Sequence, residues 1–344
     1  MKTCIIIDNP TSAIGLAARA RFDPDSQVIL SASDFINPSM LLNAIRKCKP
    51  STLFFAWRGA LLIILEVKRN AKLFAGLTRD TTIGMLIPDL LGLFPENRHQ
   101  EDLLLNYVDF YLVTSHELLR EYRDNFPHVP PLGLYRDFPD VQKISEVRDS
   151  VNGEKSLDII WVGNSRWGIH SGASDHKGLN EIFVPLKDKF KETLSFKFID
   201  SSESKIPHIE VLKMIRGSRI LLQTSKSEGT GLPLLEAAGL GTLVLTTKVG
   251  IAEYFLNGRL SELIVPRNVR DFAIEINRLI KDHEDFSQLL MRRFDQYIDE
   301  IKDDFIPSDV RPKLKDSNTL IRSWKTLSHV KWFRRWILAR ANNH

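Results

Sequence analysis

The chain has 344 residues, 43% of them hydrophobic, and a net charge of +4, enough apolar material for two cores, since domains run about 100–200 residues. Cys4 and Cys48 make neither a metal-ligand spacing nor a disulfide framework, and the three isoleucines after Cys4 fall far short of a signal-peptide core, so a reducing, cytoplasmic location is expected. The longest apolar run elsewhere, residues 60–65, is well below the roughly 20 residues that span a bilayer.

In chain order, short apolar runs alternate with helix-like segments, the signature of a parallel sheet covered on both faces. Strands are predicted over 3–8, 28–33, 52–57, 81–87 and 110–115. Between them, 38–47 and 117–125 space apolar residues three and four apart, as amphipathic helices do. Residues 127–154 are rich in Pro, Asp, Gly and Ser and lose this periodicity, so a domain boundary is expected near 140–152. The alternation restarts with strands predicted over 157–163, 194–200, 219–225, 242–247 and 262–266. The expected organisation is two doubly wound α/β domains, 1–145 and 146–310, and a basic helical tail, 311–344.

The densest chemical signal runs from Ser225 to Gly239. Gly229 and Gly231 let backbone approach a ligand, and Pro233 suits the first turn of a helix. The free N–H groups of that helix make a diphosphate site at the carboxyl end of a sheet. Glu228 falls in the loop and Glu236 in the expected first helical turn, and carboxylates accept from sugar or ribose hydroxyls. For either glutamate alone, a solvated loop acid or a dipole-complementing acid is the simpler account; together with the glycines, the proline and the preceding strand, a site is favoured.

Two glutamates separated by seven residues in a Gly-rich turn, followed by Ala237-Ala238-Gly239-Leu240-Gly241 and Val249-Gly250, resemble retaining GT-B glycosyltransferases of family 4 (glycosyl transferases group 1). The likeness is specific over about 161–279. It implies two Rossmann-like domains facing across a cleft, a nucleotide-diphosphate sugar as donor with no further cofactor, and transfer with retention. By the same resemblance Glu228 reaches the transferred sugar, Glu236 holds the ribose, and the backbone of Gly229, Thr230, Gly231 and Leu232 cradles the diphosphate.

The segments Trp161-Val162-Gly163-Asn164-Ser165-Arg166 and His176-Lys177-Gly178 resemble the family's Val-Gly-Arg strand end and later Lys-Gly. Lys177 is the stronger candidate for the diphosphate and Arg166 the weaker, because Asn164 stands at the usual arginine position and 167–175 lengthens the loop. Exposed basic loop residues are the competing account. Ile87-Pro88-Asp89 matches only the Asp of the family's His-Asp, leaving Asp89 as a candidate for an acceptor hydroxyl or as a turn aspartate. Gly15 is either near the diphosphate or a plain helix glycine.

Asp23-Pro24-Asp25 has a metal-site spacing but precedes a strand, which favours a turn, so no metal is expected. His116, His128 and His208 show no ligand spacing. The tail holds nine Lys and Arg against Asp316; it carries +8 of a total of +4, so the rest carries −4. That pattern suits a local anionic partner, not a nucleic-acid-binding body. Trp332, Phe333, Trp336 and Ile337 opposite Lys331, Arg334 and Arg335 suit either a peripheral contact with an anionic membrane face or packing on the first domain. The acceptor is a glycan, a lipid-linked sugar or another hydroxyl. A GT-B nucleotide-sugar epimerase and a non-catalytic sugar-nucleotide-binding subunit are the alternatives.

Overall fold

The computed structural model describes residues 2–310 except 11, 36, 67–73, 75, 78–79, 151–153, 168, 170–173, 282–283, 305 and 308–309. The expected tail helix, 311–344, lies outside the described residues.

The first sheet contains six strands, β1 (Thr3–Ile7), β2 (Gln27–Ser31), β3 (Thr52–Phe55), β4 (Thr82–Ile87), β5 (Phe110–Val113) and β6 (Gly133–Leu134), in the order β2-β1-β3-β4-β5-β6. Every pairing is parallel. Runs such as Leu53-Phe54-Phe55 and Ile83 to Ile87 are buried along their whole length, as strands covered on both faces must be. The covering helices include α1 (Ala13–Ala20), α2 (Pro38–Cys48), α3 (Arg58–Glu66), α4 (Pro95–Tyr107) and α5 (His116–Asn125). Asp23 accepts from Asp25 N–H and the Ser26 hydroxyl, so Asp23-Pro24-Asp25 is a turn leading into β2.

The second sheet holds β7 (Leu157–Gly163), β8 (Phe196–Asp200), β9 (Ser218–Gln223) and β10 (Leu243–Thr246) in the order β10-β9-β7-β8, again all parallel. Its helices include α6 (Val141–Ser150), α7 (Val184–Phe190), α8 (His208–Arg216), α9 (Leu232–Gly239), α10 (Ala252–Phe255), α11 (Val269–Leu279) and α12 (Glu284–Ile301).

Three details differ from the sequence reading. The strand predicted over 262–266 is a 3₁₀ turn, Gly258–Leu263, followed by one bridge from Ile264 to Thr246; Pro266 has no N–H with which to continue a ladder. The two-residue β6 lies inside the Pro-rich connection, where no alternation marks it. The expected boundary at 145/146 falls within α6, whose Ile144 and Val147 are buried in the second core. The chain then returns to its start: Ile306 and Val310 pack on the first sheet, and the Val310 carbonyl accepts from the Thr82 hydroxyl at 2.7 Å.

Candidate active site

The second sheet delivers two loops to one place at its carboxyl end. After β9, residues 224–231 lead into α9, with Gly231 capping the helix in the left-handed region and Pro233 in the first turn. After β7, the chain comes back through Asp175 to Gly178 into a π-helical turn, Leu179–Phe183, whose Asn180 and Glu181 N–H groups the Asp175 carboxylate accepts. Gly178 has φ +74°, and a Cβ there would lie 2.4 Å from the Thr224 carbonyl oxygen. Only glycine fits so close an approach in that conformation, and it is what seats Lys177 beside the end of β9. The Thr224 hydroxyl ties the strands together, donating to the Lys177 carbonyl at 2.7 Å and accepting from the Trp161 indole at 3.1 Å.

At this junction Lys177 Nζ is 2.6 Å from Glu228 Oε1, which also accepts from the Ser225 hydroxyl at 2.5 Å. Both charged side chains are 15% exposed. The ammonium also stands 5.2 Å from the Trp167 ring centroid, a cation–π distance. His176 is buried, and its Nε2 is 3.0 Å from both the carbonyl and the hydroxyl of Ser227. Burial pushes its imidazole below the ordinary value, against the Ser227 carbonyl, which favours the charged form. A neutral His176 thus pins the glutamate loop to the lysine loop. The N–H groups of Gly229, Thr230, Gly231 and Leu232 donate to no protein acceptor among the described residues, as the first N–H groups of a helix do where no side chain caps them.

Glu236 lies one turn further along α9 than expected: no acid occupies the first turn. Its carboxylate is buried and meets His208 Nε2 at 2.7 Å. Arg166 makes no hydrogen bond or ion pair with this loop among the described residues. It is exposed and lines a cavity of about 490 Å³ with Ser165, Asp175, Asn180 and Glu203, a cavity that Lys177, Glu228 and Glu236 do not line. Asp89, at the end of β4, accepts from Arg58 at 2.8 Å and from Leu91 N–H at 3.0 Å through the same oxygen, so that oxygen is committed to the turn and its ion pair. Gly15 closes the first loop of the other domain: a Cβ there would meet the Asn9 carbonyl oxygen at 2.0 Å, a local packing reason for glycine.

The two domains touch at the site. A Cβ on Gly229 would lie 1.6 Å from the Pro88 carbonyl oxygen, and the Glu117 carboxylate accepts from Gly250 N–H at 2.8 Å. Burial raises the Glu117 pKa, against the lowering effect of that hydrogen bond. In the crossover, burial pushes the Asp137 carboxyl up to about 6, opposed by the Thr230 hydroxyl and Arg21.

Several of these residues carry no sequence signal. His208 is one histidine among scattered ones. Arg267 joins the loops by donating from Nε to the Thr224 carbonyl at 2.8 Å and from a terminal nitrogen to Glu181 at 2.6 Å, from more than forty positions downstream of Thr224. Only His176, next to Lys177-Gly178, stood inside a recognisable motif. Among the described residues no group of three or more His, Cys, Asp or Glu could hold a metal ion, and no helix is long and apolar enough to cross a membrane.

Residues 204–298 match the family model of glycosyl transferases group 1. The fold is GT-B. Solved structures that share it include HepE from Anabaena in complex with UDP and glucose (12% identity, TM-score 0.59, covering 96% of this chain and 100% of HepE). Sucrose-phosphate synthase from Thermosynechococcus elongatus shares it as well (13% identity, TM-score 0.55, covering 98% and 100%). A third is a TarM variant from S. aureus in complex with Fondaparinux, alpha-GlcNAc-glycerol and UDP (12% identity, TM-score 0.53, covering 85% of this chain and 59% of TarM). No curated protein matches the sequence.

Proposed function

We propose that the chain is a glycosyltransferase that moves a sugar from a nucleoside-diphosphate sugar to an acceptor hydroxyl, with retention and without a metal. The observation that carries this reading is the convergence of Lys177, Glu228 and the free N–H groups of Gly229 to Leu232 at the carboxyl end of the second sheet. The match of 204–298 to glycosyl transferases group 1 covers this glutamate loop and Glu236. A nucleoside-diphosphate donor is in keeping with the UDP bound in the HepE and TarM structures.

In this scheme the diphosphate lies against the helix N-terminus and Lys177, and the sugar against Glu228, dividing the present ion pair between two halves of the donor. Charge developing on the leaving diphosphate is met by groups already oriented for it. The acceptor, entering from the side of Pro88 and Asp89, gives its proton to the departing phosphate oxygen. Front-face attack of this kind keeps the anomeric configuration and needs no protein base.

Donor-saturation kinetics on two variants test the site. Glu236→Ala removes a contact expected to be equal in ground and transition states, so it raises the donor KM. Glu228→Gln removes one that strengthens as the bond to phosphate breaks, so it lowers kcat. A charge-assisted hydrogen bond of about 1.5–3 kcal/mol corresponds to about ten- to more than hundred-fold in either parameter. Wild-type kinetics in both variants would remove the proposed site.

Metal independence predicts full turnover in EDTA; activity lost in chelator and restored by magnesium or manganese would count against it. The reading extends to a cytoplasmic location and to contact of the basic tail, 311–344, with an anionic leaflet. Co-sedimentation with anionic liposomes that survives deletion of 331–344 would rule out that membrane role.

A further inference from the structure

We propose that His208 is a positioning residue for the donor: it fixes the Glu236 carboxylate for the ribose hydroxyls and makes nucleotide affinity depend on pH near neutrality. The inference rests on the reading that Glu236 holds the ribose.

His208 opens α8, which follows Pro207 and packs directly against α9. Its Nε2 lies 2.7 Å from Glu236 Oε1, and no other hydrogen bond or ion pair engages that carboxylate among the described residues. Because Oε1 can only accept, Nε2 carries a proton. Oε2 is then the oxygen left to face a ligand. A carboxylate 8% exposed has little water to orient it, so the imidazole decides its direction.

The charge on His208 has no other use in the fold. A cation at a helix N-terminus opposes the macrodipole, and Nδ1 is buried without a partner, so protonating it gains nothing locally. Burial disfavours the imidazolium, yet the hydrogen bond to Glu236 and its charge outweigh burial and hold the His208 pKa above the ordinary value. The remaining charged neighbours, Lys143 and Asp140 on the entry to α6, act in opposite directions and are paired with each other at 2.5 Å. Glu236 is therefore the group that sets the protonation state.

The sign follows. Protonated His208 makes a charge-assisted bond to Glu236, stronger than the neutral one. As pH rises through its elevated value the hold weakens, and nucleotide affinity falls.

The test is calorimetric titration between about pH 6 and 8.5, across the histidine range, using whichever of UDP, GDP and ADP the wild-type chain binds. Wild type, His208→Ala, His208→Gln and Glu236→Ala are compared. His208→Ala is expected to weaken binding about tenfold or more at the acid end, the lower end of what a charge-assisted hydrogen bond is worth, with kcat nearly unchanged. His208→Gln places an amide donor near Nε2, so it should restore most of the affinity but lose the histidine part of the pH slope. Comparison with this variant subtracts titration of the nucleotide phosphate. Equal losses in Ala and Gln, or a wild-type slope surviving in Gln, would overturn the proposal. If His208→Ala does not fold, the Gln slope alone decides. Lost affinity in Glu236→Ala beside wild-type binding in both His208 variants would reject His208 only. Unchanged affinity in Glu236→Ala, or no nucleotide bound by wild type, would reject the ribose reading and this inference with it.

Discussion

Single residues in this chain carry two kinds of constraint, one within a domain and one across the cleft, and two glycines separate them. At Gly178 a side chain would face both a left-handed backbone and the Thr224 carbonyl of its own domain. Gly178→Ala is therefore expected to cost well over 1 kcal/mol, read as a lower Tm and lost seating of Lys177. At Gly229 the obstacle is the Pro88 carbonyl of the other domain. Gly229→Ala should leave secondary structure intact but hold the domains apart, visible as a larger radius in small-angle scattering; an unchanged radius would contradict the contact. Arg58 belongs to the first kind, as a buried ionic constraint within its domain. It donates to Asp89 and to Glu101, which is also held by the Tyr122 hydroxyl at 2.7 Å. Burial works against the guanidinium, but Asp89 and Glu101 raise its pKa overall. Removing it strands the Glu101 charge, 4% exposed, so Arg58→Met is expected to lose about 3–5 kcal/mol in denaturant melts.

At the scale of elements, the helices begin where short polar side chains accept from the first free N–H groups. Ser12, Asn37, Ser115 and Asn268 each accept from the N–H three residues on. Ser115 is fully buried, so water cannot replace its bond. Ser115→Ala should cost about 1–2 kcal/mol, toward the upper end of capping effects, and a loss no larger than that of Asn37→Ala at its exposed cap would argue against burial as the reason. β6 and α6 show what periodicity conceals. Gly133 and Leu134 pair with Leu112 and Val113 although nothing in Pro-Pro-Leu-Gly alternates. α6 belongs by packing to the core it precedes, a fact settled by which sheet Ile144 and Val147 reach.

The whole molecule is closed by a few contacts between domains. Glu117 at the start of α5 accepts from Gly250 N–H, His116 stacks on Tyr254 with centroids 4.7 Å apart, and Arg136 in the crossover makes three bonds to Asp304 beyond α12, one from its backbone N–H and two from its guanidinium. Burial raises the Glu117 pKa above its unfolded value, so the folded state binds more protons and this group's contribution is lost as pH rises through the raised value. Glu117→Gln keeps an acceptor for Gly250 N–H without burying a charge. Its Tm relative to wild type should be unchanged below about pH 4.3, where the carboxyl is protonated in both states. The advantage should then grow with pH and level off above the folded value. A flat difference across that range would show that Glu117 is not desolvated by the partner domain.

The doubly wound α/β class was legible in the residues alone, because strands buried on both faces must be continuously apolar and the helices between them amphipathic. The sequence also marked the glycine-rich turn, since glycine, proline and acid positions there answer to local backbone demands. The carboxyl-end placement of Lys177 and Glu228 follows from the strand-loop-helix order, but their 2.6 Å approach does not. That pairing, the tie of His208 to Glu236, the bridge made by Arg267 and the engagement of Asp89 by Arg58 join residues far apart in the chain. They exist only in the folded chain, because a charge in a sequence has no partner until packing supplies one. The lack of a bond from Arg166 to the glutamate loop among the described residues has the same origin: the direction of a side chain after a lengthened loop is set by what that loop packs against, not by its distance in sequence from a motif.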